Sequence, residues 1–446
     1  MLTLPQDVLD LLHPLNDAGF QAYVVGGCVR DWLLHRTPKD WDICTNALPE
    51  EMKQVFRNNR LVETGLKHGT LTVILHHQPY EVTTFRVDGT YQDHRHPDSV
   101  SFVQDVRYDL ARRDFTINAM AYHPEGGLLD FFGGQQDLEK GIIRAVGNPM
   151  ARFEEDALRI LRGLRFASVL GFHLEDATAR AMFTLRNDLE KVAAERIRVE
   201  LGGLVTGQGA GSVLRACWET AGVVLPEILP SVGFDQHTPY HLYDVWEHTT
   251  RAMDEVPPVE TLRWAMLFHD LGKPSTFFLD EKGCGHAYGH QQVSARLAEQ
   301  AMRRLRFDNA TRELVVKLVE IHDWPLTGEE KLLRRRLYQL GEEHLWQLLE
   351  VQRADALAKG TVPRDQVEQS VEEKRSALRR LLSEHPCFSL KDLAVRGTDL
   401  LSLGLVQGKA LGEMLSRLLQ AVVDGEVENE REALLAMVKE EIGSGA

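Results

Sequence analysis

"VVGGCVRDWLLHRTPKDWDICT", residues 24–45, decides how the N-terminal part of this chain is read. An apolar run ends in Gly26-Gly27 and hands over to a helix-like stretch; Asp40-Trp41-Asp42 begins thirteen positions after the second glycine. Glycine lets the backbone approach a ligand closely, and a helix start offers unpaired N–H groups to an anion. Arg30, one turn on, is placed to reach the same anion. A glycine pair alone marks only a tight strand-to-helix turn. The two aspartates add chemistry. With "DWDICT" as a strand, their carboxylates share one face about 6–7 Å apart, near enough to share hard cations. They would repel each other without a cation or a base between them. Glycine pair, arginine and carboxylate pair together describe triphosphate capture beside a Mg2+ site. The matching chemistry is two-metal nucleotidyl transfer, in which one ion activates a hydroxyl and the other steadies the leaving pyrophosphate. Glu81, in "YEVTTFR", is a candidate third carboxylate on a neighbouring strand.

The rest of the chain bounds this reading. Its 446 residues, 43% hydrophobic, suffice for more than one domain. No run of about eighteen apolar residues occurs, so no membrane-spanning helix is expected. The start, "MLTLPQDVLDLL", lacks a basic segment followed by a long apolar one, so no secretion signal is expected. Five scattered cysteines without a C-x-x-C pair argue against a zinc ribbon and suit a reducing cytoplasm. A net charge of −15 argues against non-specific coating of nucleic acid. Residues 141–200 carry ten Lys/Arg against nine Asp/Glu, so RNA binding there would use a small positive face and weaken steeply with salt. Arg196, Arg198 and the turn "QGKALG" (407–412) are the candidates for it.

Up to about residue 145, strand-like runs ("AYVVGG", "DWDICT", "TLTVILHH", "YEVTTFRV", "GLLDFFGG") alternate with Gly/Pro/Asn/Asp punctuation and with helices expected over 5–18 and 49–57. From about 150, apolar residues recur at helical spacing almost to the end. The expected fold class is α+β: a head with a mixed sheet, then an all-α remainder. In "EDALRILRGLRF", Asp156, Arg159, Arg162 and Arg165 recur every third residue and are expected on one helix face. Cytosine and adenine share an amino donor beside a ring-nitrogen acceptor, whereas uracil and guanine present a carbonyl oxygen. A carboxylate accepts from the amino group and an arginine donates to the ring nitrogen. Asp156 with Arg159 can therefore take C and A and reject U and G without a template.

These stretches resemble, in order, the motifs of the bacterial CCA-adding enzymes and poly(A) polymerases, the class II tRNA nucleotidyltransferases of the DNA polymerase beta superfamily. After the glycine and aspartate motif come "RRDFTINAM" (112–120), "LLDFFGGQQDLEKGIIRAVG" (128–147), "RFEEDALRILRGLRFA" (152–167), "ERIRVEL" (195–201) and a similar tail. The resemblance implies a polymerase-beta-like head (1–147), a helical neck (148–225), an HD-type helical body (226–365) and a tRNA-binding tail (366–446). It also implies Mg2+, CTP, ATP and tRNA as ligands. Arg113 and Asp114 would contact the ribose or phosphate of the incoming nucleotide, and Arg162 and Arg165 the triphosphate or ribose. The loop "RVDGTYQDHRHPDSVSFV" (86–103), with Asp93 and Arg95, matches the family's loop for the final adenosine and is read as mobile.

The helical portion also carries His248, His269-Asp270 and Asp355 in the H…HD…D order of the HD phosphohydrolases, with His290 and His322-Asp323 as further candidates. Imidazoles with carboxylates suit Mn, Ni, Fe or Mg. The resemblance implies hydrolysis at phosphate ends, or a scaffold facing tRNA. Three functions compete: CCA addition or repair; poly(A) or A-only addition; and an HD phosphohydrolase with an RNA-docking head. The acidic C-terminus leans against a poly(A) polymerase, and the intact Asp40/Asp42 and Asp156/Arg159 lean against a degenerate head.

Overall fold

The computed structural model describes residues 4–89, 100–384 and 386–444. Two compact units result: Met1–Leu229 with Ala301–Phe307, and Pro230–Gln300 with Asp308–Ala446. The α+β expectation is met, since the strands of the large sheet all lie before residue 131 and the remainder is almost wholly helical.

The first unit is built on strands β1 (Ala22–Val25), β2 (Ile43–Thr45), β3 (Arg60–Val62), β4 (Thr70–Leu75), β5 (Gln78–Thr84), β6 (Arg86–Asp88), β7 (Val100–Phe102), β8 (Met120–His123) and β9 (Gly127–Asp130). Seven of them form one mixed sheet in the order β3-β4-β5-β2-β1-β8-β9. β2 pairs parallel with β5 and antiparallel with β1. Alternation in "TLTVIL" puts Leu71 and Val73 of β4 into the core while their neighbours face outward. One core cluster joins Val25, Cys44, Ala119 and Ala121 of the sheet region to Val106 and Leu110 of the helix Val106–Ala111. β6 and β7 pair antiparallel. The described ends of the loop read as mobile are thus hydrogen-bonded to each other, while Asp93 and Arg95 lie outside the described residues.

After the sheet, Asn148 caps the helix Pro149–Glu155 by accepting from Met150 N, with proline at the first helical position. The next helix, Leu158–Leu170, ends at Gly171 in the left-handed conformation. Two expectations about placement need correction. Asp40 and Asp42 precede β2 rather than lying within it, although Asp42 O still accepts from Val25 N at 3.0 Å. Asp156 is an extended residue (φ −143°) between two helices, so it does not share a helix face with Arg159, Arg162 and Arg165. Its carboxylate caps the second helix instead, accepting from Leu158 N at 3.0 Å.

In the second unit the helices Val245–Glu255, Glu260–Phe268, Asn309–Ile321 and Glu330–Lys359 pack their apolar faces together. The last is broken at Gly341 (φ 74°). A further cluster, including Leu393, Leu400, Leu418, Leu434 and Val438, forms the core of the C-terminal helices.

Candidate active site

Gly26 holds the entry to the site. Its φ of 87° suits only glycine at low cost, and a Cβ there would meet Arg113 Nη1 at 2.7 Å. The turn after β1 therefore lies against the Arg113 guanidinium. Arg113 reaches Asp109 Oδ2 at 3.5 Å, and its buried Nε has no hydrogen-bond partner.

Ile43 is in register with Val82, so Glu81, one residue earlier on β5, runs beside Asp42. Burial pushes the Asp42 carboxyl up to about 6; Arg113 pulls it back, and Asp40 and Glu81 push it further up. Three carboxylates thus share a field that only one arginine opposes. Asp40 and Glu81 are solvent-exposed.

A chain of polar contacts leads from here to the neck. Arg30 is paired with Asp31 at 2.7 Å and donates to Asn118 Oδ1 at 2.7 Å. Asn118 donates to Asp114 Oδ1 at 3.2 Å. Arg162 donates from Nε to Asp114 Oδ2 at 2.7 Å, and its Nη2 lies at the same distance. Burial alone would raise Asp114, but Arg162, Arg159 and Asn118 outweigh it and hold the carboxyl at about 2. Glu200, 6% exposed, receives Arg165 Nε at 2.6 Å and has Arg162 Nη1 at 3.7 Å. Arg30, Arg162 and Arg165 all stand over the Phe166 ring, at 5.1, 5.6 and 4.3 Å from its centroid.

Asp156 pairs with Arg196 at 2.8 Å, not with Arg159. Arg159 instead holds Glu155 at 2.6 Å and the carbonyls of Arg152 and Arg112. Arg196, read from sequence as a candidate RNA contact, is thus engaged in orienting Asp156. Asn118, Phe166 and Glu200 were not singled out in the sequence. Asn118 lies inside a recognised motif, but the helical period shows only that Phe166 belongs on an apolar face and says nothing of what stacks there.

The second unit holds a different arrangement. His248 lies on the helix Val245–Glu255 and Asp355 on Glu330–Lys359. His269 and Asp270 form the turn that ends Glu260–Phe268. One donor atom from each of the four lies within 4.8 Å of the others, and Asp270, His290 and His322 form a second such group. Among the described residues, groups of three or more donors this close occur only in this unit. His269, His290 and His322 donate Nδ1–H to the carbonyls of Met266, Ala287 and Val319 at 2.7, 2.8 and 2.7 Å. That fixes each tautomer and leaves Nε2 free to ligate. His248 Nε2 and His269 Nε2 face each other at 3.2 Å. Burial would lower His269, but Asp270 and Asp355 raise it to about 9. Lys273 pairs with Asp270 at 2.6 Å and Lys359 with Asp355 at 2.7 Å. A cavity of about 360 Å³ opens over this cluster, lined among others by Tyr240, His241, His286, Tyr288 and Asp323.

Among known families, the one described as "Poly A polymerase head domain" matches residues 22–144. "Probable RNA and SrmB- binding site of polymerase A" matches 171–231, and "tRNA nucleotidyltransferase domain 2 putative" matches 290–438. The CCA-adding enzyme of Enterococcus faecalis is 35% identical over 450 residues, covering 100% of this chain and 99% of its own. That of Leuconostoc mesenteroides is 34% identical, covering 98% and 97%. The structure of the Bacillus stearothermophilus CCA-adding enzyme in complex with CTP matches with a TM-score of 0.72 at 29% identity, over 99% of both chains. That of the Thermotoga maritima enzyme complexed with tRNA shares the fold, with a TM-score of 0.59 at 22% identity over 98% and 96%.

Proposed function

The chain belongs to the CCA-adding enzyme family, and from that membership we infer that it adds or repairs the 3′-terminal CCA of tRNA, using CTP and ATP and no nucleic-acid template. The match to named CCA-adding enzymes runs over essentially their whole length, which favours this activity over poly(A) synthesis. The observation that carries the reading is the carboxylate field around Asp42, which suits a divalent cation. Burial together with Asp40 and Glu81 leaves negative charge there that one arginine does not balance.

Asp40 and Asp42 would hold Mg2+, with Glu81 beside them. Bound there, the ion would supply the charge that activates the tRNA 3′-hydroxyl and steadies the leaving pyrophosphate. Gly26 and Gly27 leave room for the triphosphate against Arg113, whose free Nε is a donor with nothing yet to bind. Arg30, Arg162 and Arg165 present positive charge around Phe166, and Asp114 and Glu200 fix where that charge sits.

Asp156 would accept from the amino group of cytosine or adenine while Arg196 holds it, since a carboxylate has about four acceptor positions and only two are in use. Arg159 would donate to the ring nitrogen. No described helix is long and apolar enough to cross a membrane. A cytoplasmic location suits five cysteines that are all unpaired. Incubation with tRNA lacking CCA and with each labelled nucleotide tests the assignment. Incorporation of C and A that stops after three residues is expected; long A tracts, or A alone, would overturn it.

A second reading concerns the His/Asp cluster. The fixed tautomer of His269, facing His248 Nε2 with Asp270 and Asp355 alongside, favours a divalent transition metal, Mn, Ni or Fe, held by these four residues. The activity that suits such a centre is hydrolysis of phosphate esters.

A further inference from the structure

We propose that Asp280, Cys284 and His286, on one short hairpin of the second unit, form a Zn2+ site of their own. It shares no residue with the His248/His269/Asp270/Asp355 cluster and differs from it in offering a sulfur.

The stretch "DEKGCGH" (280–286) folds back on itself where the strand Phe278–Leu279 pairs antiparallel with Gly285–His286. Gly283 N donates to Asp280 O, and Asp280 N to Cys284 O, at 2.9 Å each. Gly283 has a φ of 75°, a left-handed backbone that glycine adopts at low cost. Asp280 and Cys284 therefore face each other across the turn. Cys284 and His286 stand two positions apart along one edge, which favours projection from the same face. An oxygen, a sulfur and a nitrogen thus converge within 4.8 Å of one another.

Two of the three donors are already aimed. Asp280 Oδ1 accepts from Lys282 N and Cys284 N at 2.9 Å each, which turns Oδ2 toward His286 Nε2, 2.9 Å away. The His286 ring lies 5.3 Å from that of Tyr288 at an interplanar angle of 23°, and 5.5 Å from that of Phe278, so its rotation is restricted. Backbone N–H groups and rings thus serve as the outer partners that hold ligands in place around a metal. Cys284 is a free, half-buried thiol, with Sγ 4.0 Å from Gly285 O.

The distances suit the ion. Tetrahedral bonds of about 2.0–2.3 Å put neighbouring donors roughly 3.3–3.8 Å apart. The Oδ2–Nε2 pair must open by roughly 0.4 Å and the sulfur close by about 1 Å at most, which side-chain rotation supplies. Sulfur with imidazole and carboxylate selects Zn2+ over Mg2+ or Ca2+, whose ligands are oxygens. Three protein donors leave the fourth position to water. The His286 and Asp280 side chains are 29% and 34% exposed, so the ion enters from solvent. On binding, the thiol loses its proton to solvent, and Nε2 gives up the proton it shares with Asp280. The ion would clamp the hairpin that carries His286 into the cavity wall.

The test is titration of the metal-free full chain with Co2+, a spectroscopic stand-in for Zn2+. A thiolate-to-cobalt charge-transfer band is expected, and excess Zn2+ should bleach it. The His248/His269/Asp270/Asp355 cluster has no sulfur and cannot produce that band. The band should vanish in Cys284→Ser and need at least about tenfold more Co2+ in Asp280→Asn and in His286→Gln. CTP incorporation into tRNA should be retained in all three variants, which shows that each is folded. Absence of the band in the unaltered chain, its survival in Cys284→Ser, or an unchanged Co2+ affinity in both Asp280→Asn and His286→Gln would overturn the proposal.

Discussion

The two acidic sites treat their aspartates in opposite ways. In the first unit Asp42 is pushed up to about 6, because burial and two neighbouring carboxylates outweigh Arg113. In the second, Asp270 is buried and Asp355 partly buried, yet both are held well below the ordinary carboxylate range, because His269, Lys273 and Lys359 surround them with positive charge. The head site is thus an unbalanced field with exposed edges, which an incoming metal–nucleotide complex can complete. The His/Asp cluster carries positive charge of its own, on Lys273 and Lys359, beneath an open cavity. Two sites of similar composition can differ in whether the compensating charge belongs to the protein or arrives with the substrate.

The largest effect should break the comparison on the head side. Asp40→Ala with Asp42→Ala should lower incorporation of labelled CTP and ATP by about a thousandfold or more, because charge stabilisation of the reacting groups is removed. Metal binding at the His/Asp cluster should be unchanged.

Next comes the buried pair that shapes the neck. Arg162→Ala leaves Asp114 buried without its main partner and should cost about 3–5 kcal/mol, read as a lowered unfolding midpoint of the first unit. Asp114 is depressed to about 2 from an ordinary 3.8. Its contribution is therefore present above pH 3.8 and fades as the pH falls toward 2; in Arg162→Ala that acid loss should shrink, because burial then raises the carboxyl with its largest opposing charge gone.

Asp156→Ala should raise U and G incorporation relative to C and A by roughly 10–100-fold, the value of about 1–3 kcal/mol for one base-edge pair. Metal dependence should be unaltered, and an unchanged base preference would refute the role given to Asp156.

The direction of the Asp42 shift sharpens the contrast further. Because that carboxyl takes up a proton below about 6, incorporation at limiting Mg2+ should fall roughly tenfold per pH unit below 6.

The smallest effect is a designed indifference. His269→Ala should abolish stabilisation by Mn2+ or Ni2+ in thermal melts yet leave CCA addition within about twofold, as expected for sites that share no side-chain partners among the described residues.

Much of this was legible in the residues. Gly26-Gly27, Arg30, Asp40, Asp42 and Asp156 are marked by residue type and spacing, Arg113 only by the family resemblance, and the shift from strand to helix near residue 145 shows in the periodicity. The placement of Asp156 on a helix was wrong because a three-residue spacing cannot reveal that Asp156 caps the helix rather than joining it. Asp40 and Asp42 were assigned to a strand that starts one residue later, at Ile43.

The order of the motifs along the chain thus determined the family, the carboxylate pair and the list of donor residues in the second unit, because these depend on residue type and local spacing. Only the tertiary structure decided which charges meet: Arg196 with Asp156, Arg162 with Asp114, and three arginines on one phenyl ring. Those pairings join residues up to 136 positions apart, as between Arg30 and Phe166. Contacts at such separations come from the packing of sheet and helices, and no local pattern in the sequence encodes them.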